Sequence, residues 1–158
     1  MGAHSSGLIG ECPNCIPNNL MPYVVRLAID KLEKVSIFCD DYPTKDVTCV
    51  RDYIHFMDLA ERHLQAIKFI DQRQGAVVYN LGTGIGYTVL EMLHAFERAS
   101  GREIPYQVVA RREGDIAECW SDPSQAKTGL KWEASRDLDT MMRDAWRWQS
   151  KNPKGFAS

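Results

Sequence analysis

Apolar and polar residues follow helical spacing in four segments of the chain and strand-like spacing in others. The spacing predicts helices with the following apolar positions: Leu20, Tyr23, Val24, Leu27 and Leu32 after an Asn18 or Asn19 cap, Leu59, His63, Ile67 and Ile70 after an Asp58 cap, Leu90, Leu93 and Phe96 after Thr88, and Met141, Met142, Ala145, Trp146 and Trp148 within 138–149. Asp122 and Pro123 suit the cap and first position of a helix, so they predict the start of a fifth.

Short apolar runs between these helices predict strands. They cover 36–38, 76–81 and 106–110, with an extended or mixed segment at 50–56. The run 76–81 reads AVVYNL, which is the composition of a strand buried on both faces. Residues 1–17 are rich in Gly, Ser and Pro and predict coil. The order of elements indicates one mixed α/β unit, or a large part of one.

Composition and charge fit a globular domain and exclude several functions. Of the 158 residues, 44% are apolar and 25% are charged, which is enough to bury a core. A net charge of −2 and a pI near 6.1 give no basic surface for nucleic acid. No apolar run approaches the roughly 18–20 residues of a membrane span, and residues 1–11 lack the features of a signal peptide. Gly2 and Ser6 fit a myristoylation pattern, but nothing else points to a membrane. We expect a cytoplasmic protein.

The five cysteines leave two interpretations open. An odd number does not suit a disulfide framework, so reduced thiols are the simpler interpretation. Cys12 and Cys15 form a C-P-N-C unit, which together with Cys39 and Cys49 would supply four thiolates to zinc. A second C-x-x-C pair is missing, and Cys12 follows coil rather than the strand that a thioredoxin-type motif needs. We therefore expect no metal site.

A glycine loop, NLGTGIG at 80–86, lies between a predicted strand and a predicted helix, where dinucleotides often bind. Gly82 and Gly84 fit the first two glycines of G-x-G-x-x-G, but Gly86 comes one residue too early. A second strand ending in an acidic residue about 20 positions later is also missing. The loop is therefore interpreted as a structural turn between strand and helix.

Two charged clusters are candidates for anion binding. Residues 111–115, RREGD, follow the predicted strand 106–110, and open α/β sheets bind ligands at strand ends. Arginine binds phosphate through paired hydrogen bonds, while a nearby acid accepts from ribose hydroxyls. Arg51 and Asp52 form the second cluster, among apolar residues before a helix. From the residues alone, two alternatives to ligand binding stay open: a solvated charge run at 111–115, and a buried structural ion pair at Arg51 and Asp52.

Catalytic signatures are missing from the sequence. It contains no G-x-S-x-G, no H-E-x-x-H and no P-loop. None of the six tyrosines is followed four residues later by a lysine. His55 and His63 have no partner at metal-ligand spacing and are interpreted as packing residues. The residues therefore indicate an anion-binding α/β half-domain without its own catalytic apparatus.

Seven segments in succession resemble UDP-glucose 4-epimerases of the extended short-chain dehydrogenase family. They are GAHSSG at 2–7, IPNNLMPY at 16–23, DYPTKD at 41–46, VRDYIHFMDLA at 50–60, YNLGTGIGYTVLEM at 79–92, VVARREGD at 108–115 and WRWQSKNPKGF at 146–156. The segments at 79–92 and 146–156 look closer to animal-type than to bacterial epimerases. The resemblance implies an α/β fold in which 1–158 is a single partial domain: the C-terminal UDP-sugar-binding portion, lacking most of the Rossmann domain.

This resemblance also implies an isomerase that interconverts UDP-glucose and UDP-galactose through a 4-keto intermediate, using tightly bound NAD. In the family the NAD loop and the catalytic tyrosine, lysine and serine belong to the N-terminal half. We therefore expect neither catalytic residues nor an NAD site in this chain, and we expect most of the family's homodimer interface to lie outside it. The alternatives are a non-catalytic UDP-sugar-binding module and a non-functional remnant.

Matching motifs carry the family's substrate contacts onto this chain. Asn18, Asn19 and Leu20 would contact the diphosphate and sugar; Ser36, Ile37 and Phe38 would flank uracil; Arg51 and Arg112 would bind the diphosphate; and Asp115, in a turn with Glu113 and Gly114, would accept from ribose. Cys119 stands where epimerases restricted to unmodified hexoses carry a bulky tyrosine. A small residue there resembles the forms that also accept N-acetylated UDP-hexoses.

Several departures from the family concern glycine positions. Cys15, Asp30, Cys39, Val47 and Cys49 stand where the family typically has glycine. A replacement costs roughly 1 kcal/mol wherever the backbone needs a positive φ. Several such costs are a large share of a typical stability of about 5–15 kcal/mol. The departures therefore predict a destabilised, degenerate or partial copy, and they weaken the zinc interpretation further.

Overall fold

The structure, a computed structural model, describes residues 1–13, 16–38, 40–72 and 74–156. Its elements, in chain order, are α1 (Leu20–Ala28), β1 (Val35–Phe38), β2 (Val50–Asp52), α2 (Phe56–Phe69), a 3-10 turn (Ile70–Gln72), β3 (Gly86–Thr88), α3 (Val89–Ser100), β4 (Tyr106–Val109), β5 (Glu118–Cys119), α4 (Ser124–Leu130) and α5 (Leu138–Lys151). The predicted α/β class is confirmed. In the described ranges, no helix is both long and apolar enough to cross a bilayer.

The strands form two small sheets. β1 pairs in parallel with β4, so that Val35 lies opposite Tyr106 and Phe38 opposite Val109. In the second sheet the central strand β2 runs antiparallel to β3 and parallel to β5. Its register places Cys119 directly beside Arg51.

The core lies between α1, α3 and α5, with β1 along one side. Phe96 of α3 and Met141 of α5 are fully buried, and the Phe96 and Trp146 rings pack edge to face with their centroids 6.0 Å apart. Each such side chain contributes roughly 1.5–3 kcal/mol through its burial. The core therefore follows from the apolar stripes that the sequence predicts for these three helices.

Local sequence signals set the ends of α3 and α4. Thr88 and Glu91 form the capping box that opens α3, and Gly101 ends it at a φ of 67°. Helix α4 begins at Ser124, one residue after the predicted start, and its first backbone N–H donates to Asp122 at 2.9 Å. The start predicted at Thr88 is therefore confirmed, whereas the cap position of α4 is Pro123 and not the predicted Asp122.

Helix α2 departs from its prediction at both its start and its buried face. His55 is the cap, because its ring accepts from the Met57 N–H, whereas Asp58 is buried and accepts from the backbone N–H groups of Ser135 and Arg136. These polar bonds turn Asp58 inward, so the predicted apolar face points outward, with Ile67 64% exposed. His63 is exposed as well, so its interpretation as a packing residue is wrong, while that of His55 is confirmed.

The predicted buried strand at 76–81 is wrong. These residues take part in neither sheet, and Val78 is 77% exposed. A strand is stable only when a neighbour pairs with its backbone. Among the described residues no strand pairs with this segment, so it does not form a strand despite its apolar, strand-like composition.

Two of the glycine replacements have the strained backbone that the sequence predicts. Asp30 and Val47 both have a φ of 59°, and Asp30 follows the end of α1. That early end leaves Leu32 exposed and outside the helix, against the prediction. Cys49 does not have a positive φ, so it carries no such strain. Cys15 and Cys39 lie outside the described residues. The alternative zinc site needs both of them, so it also lies outside the described part of the chain.

Candidate functional site

Two arginines from separate parts of the chain approach one carboxylate. Arg51 lies on β2 and Arg112 follows β4, and their guanidinium nitrogens approach the Asp115 carboxylate at 3.9 and 3.2 Å. The side chain of Arg51 is 27% exposed and that of Arg112 is 57% exposed, so both cations contact water as well as their shared partner, Asp115. We call Arg51, Arg112 and Asp115 the arginine cluster. It unites the two charged clusters that the sequence predicts separately.

The turn that carries Asp115 is braced by an aromatic residue. Gly114 has a φ of 83°, which lets the Asp115 N–H donate back to the Arg112 carbonyl at 3.3 Å. Tyr42 is 4% exposed and its hydroxyl donates to the Asp115 carbonyl at 3.3 Å. Arg111 lies over the Tyr42 ring, 4.3 Å from its centroid. The buried Tyr42 therefore stabilises the turn through its hydroxyl, a role that no local sequence signal predicts.

An aromatic ring lies next to the arginine cluster. The Arg112 guanidinium stacks over Phe38 at 4.3 Å from the ring centroid. Ser36, on the same face of β1 by strand alternation, accepts from the Gln107 amide at 3.3 Å. Ile37 points the other way and is 2% exposed, within the core. The end of β1 therefore offers one aromatic surface and one hydroxyl beside two cations.

Two free cysteines lie close to Arg51. Cys119 is exposed on β5, and Cys49 is half-buried just before β2. Burial raises the pKa of the Cys49 thiol, and nearby Asp115 adds to this increase, while Arg51 opposes it. Among the described residues, no His, Cys, Asp or Glu group is arranged to hold a metal ion.

The glycine loop is filled by a carboxylate of the chain itself. Asp52 accepts from the N–H groups of Thr83 and Gly84, both at 3.0 Å, and from the hydroxyls of Thr83 and Ser121, both at 2.6 Å. Burial raises the pKa of Asp52, but hydrogen bonds from Ser121, Thr83 and Gly84 outweigh it and lower the pKa below its ordinary value. The interpretation as a structural turn is confirmed, because these donors of the loop bind Asp52 of the chain itself.

The remaining predicted residues lie at the edges of this site or beyond it. Asn18 and Asn19 are exposed and Leu20 is half-buried at the start of α1, where Asn19 is the cap residue without a side-chain cap bond. The contacts of the described residues do not join these three to the arginine cluster. Glu113 is exposed in the turn between Arg112 and Asp115.

Residues 3–145 match the family model described as GDP-mannose 4,6 dehydratase. The chain belongs to that family, and it aligns with the C-terminal part of an extended short-chain dehydrogenase. Within the family its relatives are UDP-glucose 4-epimerases, so the resemblance that the seven sequence segments indicate is confirmed.

These relatives are similar along the whole of this chain. The UDP-glucose 4-epimerase of Bacillus subtilis (strain 168) is 59% identical over 157 residues, which are 99% of this chain and 46% of that protein. The mouse (Mus musculus) enzyme is 56% identical over 158 residues, 100% of this chain and 46% of that protein. A crystal structure of the epimerase from Bifidobacterium longum, in complex with NAD+ and UDP, superposes with a TM-score of 0.94 at 52% identity, covering 98% of this chain and 46% of that one.

Two facts follow from these alignments. The chain spans less than half the length of the relatives that it matches. Animal enzymes are among those relatives, and bacterial ones are at least as similar.

Proposed function

We propose that this chain is the UDP-sugar-binding part of a UDP-glucose 4-epimerase, and that it binds UDP through the arginine cluster. The observation that carries the proposal is the convergence of Arg51 and Arg112 on Asp115. Two guanidinium groups against one carboxylate leave one positive charge in excess, and their planar donor groups suit the two phosphates of a nucleoside diphosphate. The relative from Bifidobacterium longum, solved with UDP, supports this choice of ligand.

The proposed pose uses each part of the site for one part of UDP. The diphosphate lies between Arg51 and Arg112, and the ribose donates to Asp115, whose turn includes Glu113 and Gly114. Uracil lies against the end of β1, next to the Phe38 side chain. Since Ile37 is in the core, its contact would come from the backbone. Asn18, Asn19 and Leu20 would complete the diphosphate and sugar side from the start of α1.

Isothermal titration calorimetry with UDP tests this binding function. The wild-type chain should bind UDP, and Arg112→Ala should weaken the affinity at least about tenfold, because a charge-assisted contact is lost. Arg98→Ala is the matched control, since Arg98 is similarly exposed but pairs with Asp139 on α5. An Arg112→Ala affinity equal to that of the wild type would refute the proposal.

We propose further that this chain alone does not catalyse epimerisation. The sequence has no tyrosine followed four residues later by lysine, and the glycine loop is filled by Asp52. Both observations support the proposal that NAD and the catalytic residues belong to the other half of the enzyme. Incubation with UDP-galactose and added NAD should give no UDP-glucose, and turnover above background would contradict this assignment.

An exposed apolar surface supports the existence of that other half. Helix α2 and the segment after it expose large apolar side chains, which together we call the α2 face: Leu64, Ile67, Ile70, Val77 and Val78, between 43% and 77% exposed. Clustered exposed apolar side chains often mark an interaction site. The relatives are more than twice as long as this chain, and we propose that their N-terminal, NAD-binding half is what covers the α2 face.

Two finer expectations remain proposals. Cys119 is small and exposed beside Arg51, which supports room for an N-acetyl group on the sugar. Cys119→Tyr should then weaken binding of UDP-N-acetylglucosamine more than binding of UDP-glucose, and equal losses would argue against it. A cytoplasmic location remains a prediction from sequence.

The competing possibility is a remnant without function, for which the strained φ at Asp30 and Val47 is the supporting observation. A cooperative thermal transition together with UDP binding would exclude a remnant. A broad, non-cooperative transition without UDP binding would favour it.

A further inference from the structure

One carboxylate holds together the loops at one end of the three-stranded sheet. Asp52 is the last residue of the central strand β2. Its oxygens accept from Thr83 and Gly84, in the loop that leads into β3, and from the hydroxyl and N–H of Ser121, two residues after β5. Both neighbouring strands are thus tied to β2 at the same point.

The glycine loop is shaped around this carboxylate. A Cβ atom on Gly82 would lie 1.8 Å from the Ser121 hydroxyl and 2.3 Å from an Asp52 oxygen, so no other residue fits there without displacing them. Gly84 has a φ of 71°, which turns its N–H toward the carboxylate. Successive N–H groups arranged in this way form an anion-binding concavity. Here the anion is Asp52.

This arrangement adjoins the residues that face the proposed ligand. Side chains alternate along a strand, so Asp52 faces the loops while Arg51, next to it, faces Asp115. Cys119 lies opposite Arg51, on a strand of only two residues. So short a strand has few ladder hydrogen bonds of its own, and the Asp52–Ser121 bonds secure the chain just beyond it.

We propose that Asp52 is a positioning residue for UDP-sugar binding: by holding the glycine loop and Ser121 together, it fixes Arg51 and Cys119 relative to each other. The proposal rests on the proposed function, because Arg51 matters here as a contact to the diphosphate. Asp52 itself contacts the loops, and in the proposed pose it does not contact UDP.

Asp52→Asn and a matched variant test this role. An asparagine of the same shape has one acceptor oxygen and presents an NH2 group to the loop's donors. UDP affinity should fall roughly tenfold by calorimetry. Asp46→Asn is the control, because Asp46 also accepts from one N–H and two hydroxyls, of Thr48 and Thr88, toward the other end of β3. It should lower the melting temperature without changing UDP affinity.

A spectroscopic measurement separates positioning from general destabilisation. In nitrogen-15 spectra of the free protein, Asp52→Asn should shift the Arg51 side-chain Nε–H resonance and leave that of Arg98 in place. Ser121→Ala, which keeps the charge and removes one hydroxyl, should shift the same resonance less and weaken UDP binding about threefold. It also provides the decisive affinity if Asp52→Asn does not fold.

Each outcome has one meaning. Weaker UDP binding by Asp52→Asn or Ser121→Ala, with the Arg51 shift and unchanged affinity in Asp46→Asn, supports the proposal. Wild-type affinity in folded Asp52→Asn, or equal weakening in Asp46→Asn, overturns it while leaving UDP binding intact. A wild-type chain that does not bind UDP overturns the proposed function itself, and the positioning role with it.

Discussion

The backbone at Val47 is the clearest strain at the scale of a single residue. Its φ of 59° is left-handed, which costs a β-branched residue about 1–2 kcal/mol. Val47→Gly should therefore raise the free energy of unfolding by about 1 kcal/mol, after allowance for the greater freedom of glycine in the unfolded chain. Urea titration of both proteins measures this difference in the free energy of unfolding. Val77→Gly is the control, because Val77 is equally exposed without a positive φ; a gain there as large as at Val47 would contradict the strain argument.

His55 gives the chain a predicted sensitivity to acid. Its ring is fully buried; burial and Arg136 lower its pKa below 6.5, while Asp144 at 3.4 Å offsets this in part. The folded chain therefore binds this proton more weakly than the unfolded chain does. The stability that the neutral ring contributes is complete above pH 6.5 and is lost as the pH falls below it.

Thermal melting between pH 7.5 and 5.5 should thus show a falling melting temperature. His55→Asn keeps an acceptor for the Met57 N–H and cannot titrate, so its melting temperature should fall less over the same range. Parallel curves for the two proteins would show that His55 is not the group responsible.

Some residues of the candidate site could be predicted from the sequence, because residue type and position relative to the strands suggest the roles that we propose for them. Arg51, Arg112 and Asp115 belong to this group, since arginines at strand ends suit phosphate. Tyr42 and Asp52 could not be predicted, because their roles depend on partners 73 and 31 positions away. Even so, a glycine loop that fits no dinucleotide spacing is a signal that its N–H groups bind some other anion.

At the scale of elements, helix α2 contains a buried cation, Arg62, which is 1% exposed. Among the described residues, its guanidinium nitrogens have no hydrogen-bond partner. Its Cζ lies 5.9 Å from the centroid of the Tyr79 ring and 5.6 Å from that of Trp132. Unsatisfied buried donors cost more than such aromatic contacts return. Arg62→Met, which fills similar space without donors, should raise the free energy of unfolding by about 1 kcal/mol or more.

Chemical denaturation of Arg62→Met beside Arg98→Met tests this point. Arg98 is 64% exposed on α3, so its replacement should change stability by less than about 0.5 kcal/mol. A loss of stability in Arg62→Met would mean that the two aromatic contacts dominate.

Elements with purely local causes could be predicted, and those that need a distant partner could not. The capping box at Thr88 and the glycine at Gly101 specify α3 from within the sequence. The segment 76–81 has strand composition but no paired neighbour in the described chain, so composition alone misleads. The sequence predicts a helix at α2, but which of its faces is buried depends on the contacts of Asp58 with Ser135 and Arg136.

At the scale of the whole molecule, we expect the α2 face to determine whether the chain associates in solution. Large exposed apolar side chains favour association when nothing covers them. The isolated chain should therefore form oligomers as its concentration rises, as measured by size exclusion with light scattering. Ile67→Lys should reduce this association and change stability by less than about 0.5 kcal/mol, because Ile67 is already 64% exposed.

Leu32→Lys is the control for this prediction. Leu32 is 38% exposed and lies outside the α2 face, so its replacement should leave association unchanged. A chain that stays monomeric at all concentrations, or an equal effect of both variants, would contradict a role for the α2 face.

For the molecule as a whole, we propose that this chain binds the diphosphate of UDP although it does not catalyse epimerisation on its own. A comparison of UDP and uridine affinities of the wild-type chain, measured by calorimetry under one set of conditions, tests it most directly. Because Arg51 and Arg112 would hold the diphosphate, UDP should bind at least about a hundredfold more tightly than uridine. Equal affinities, or no binding of UDP, would contradict the account.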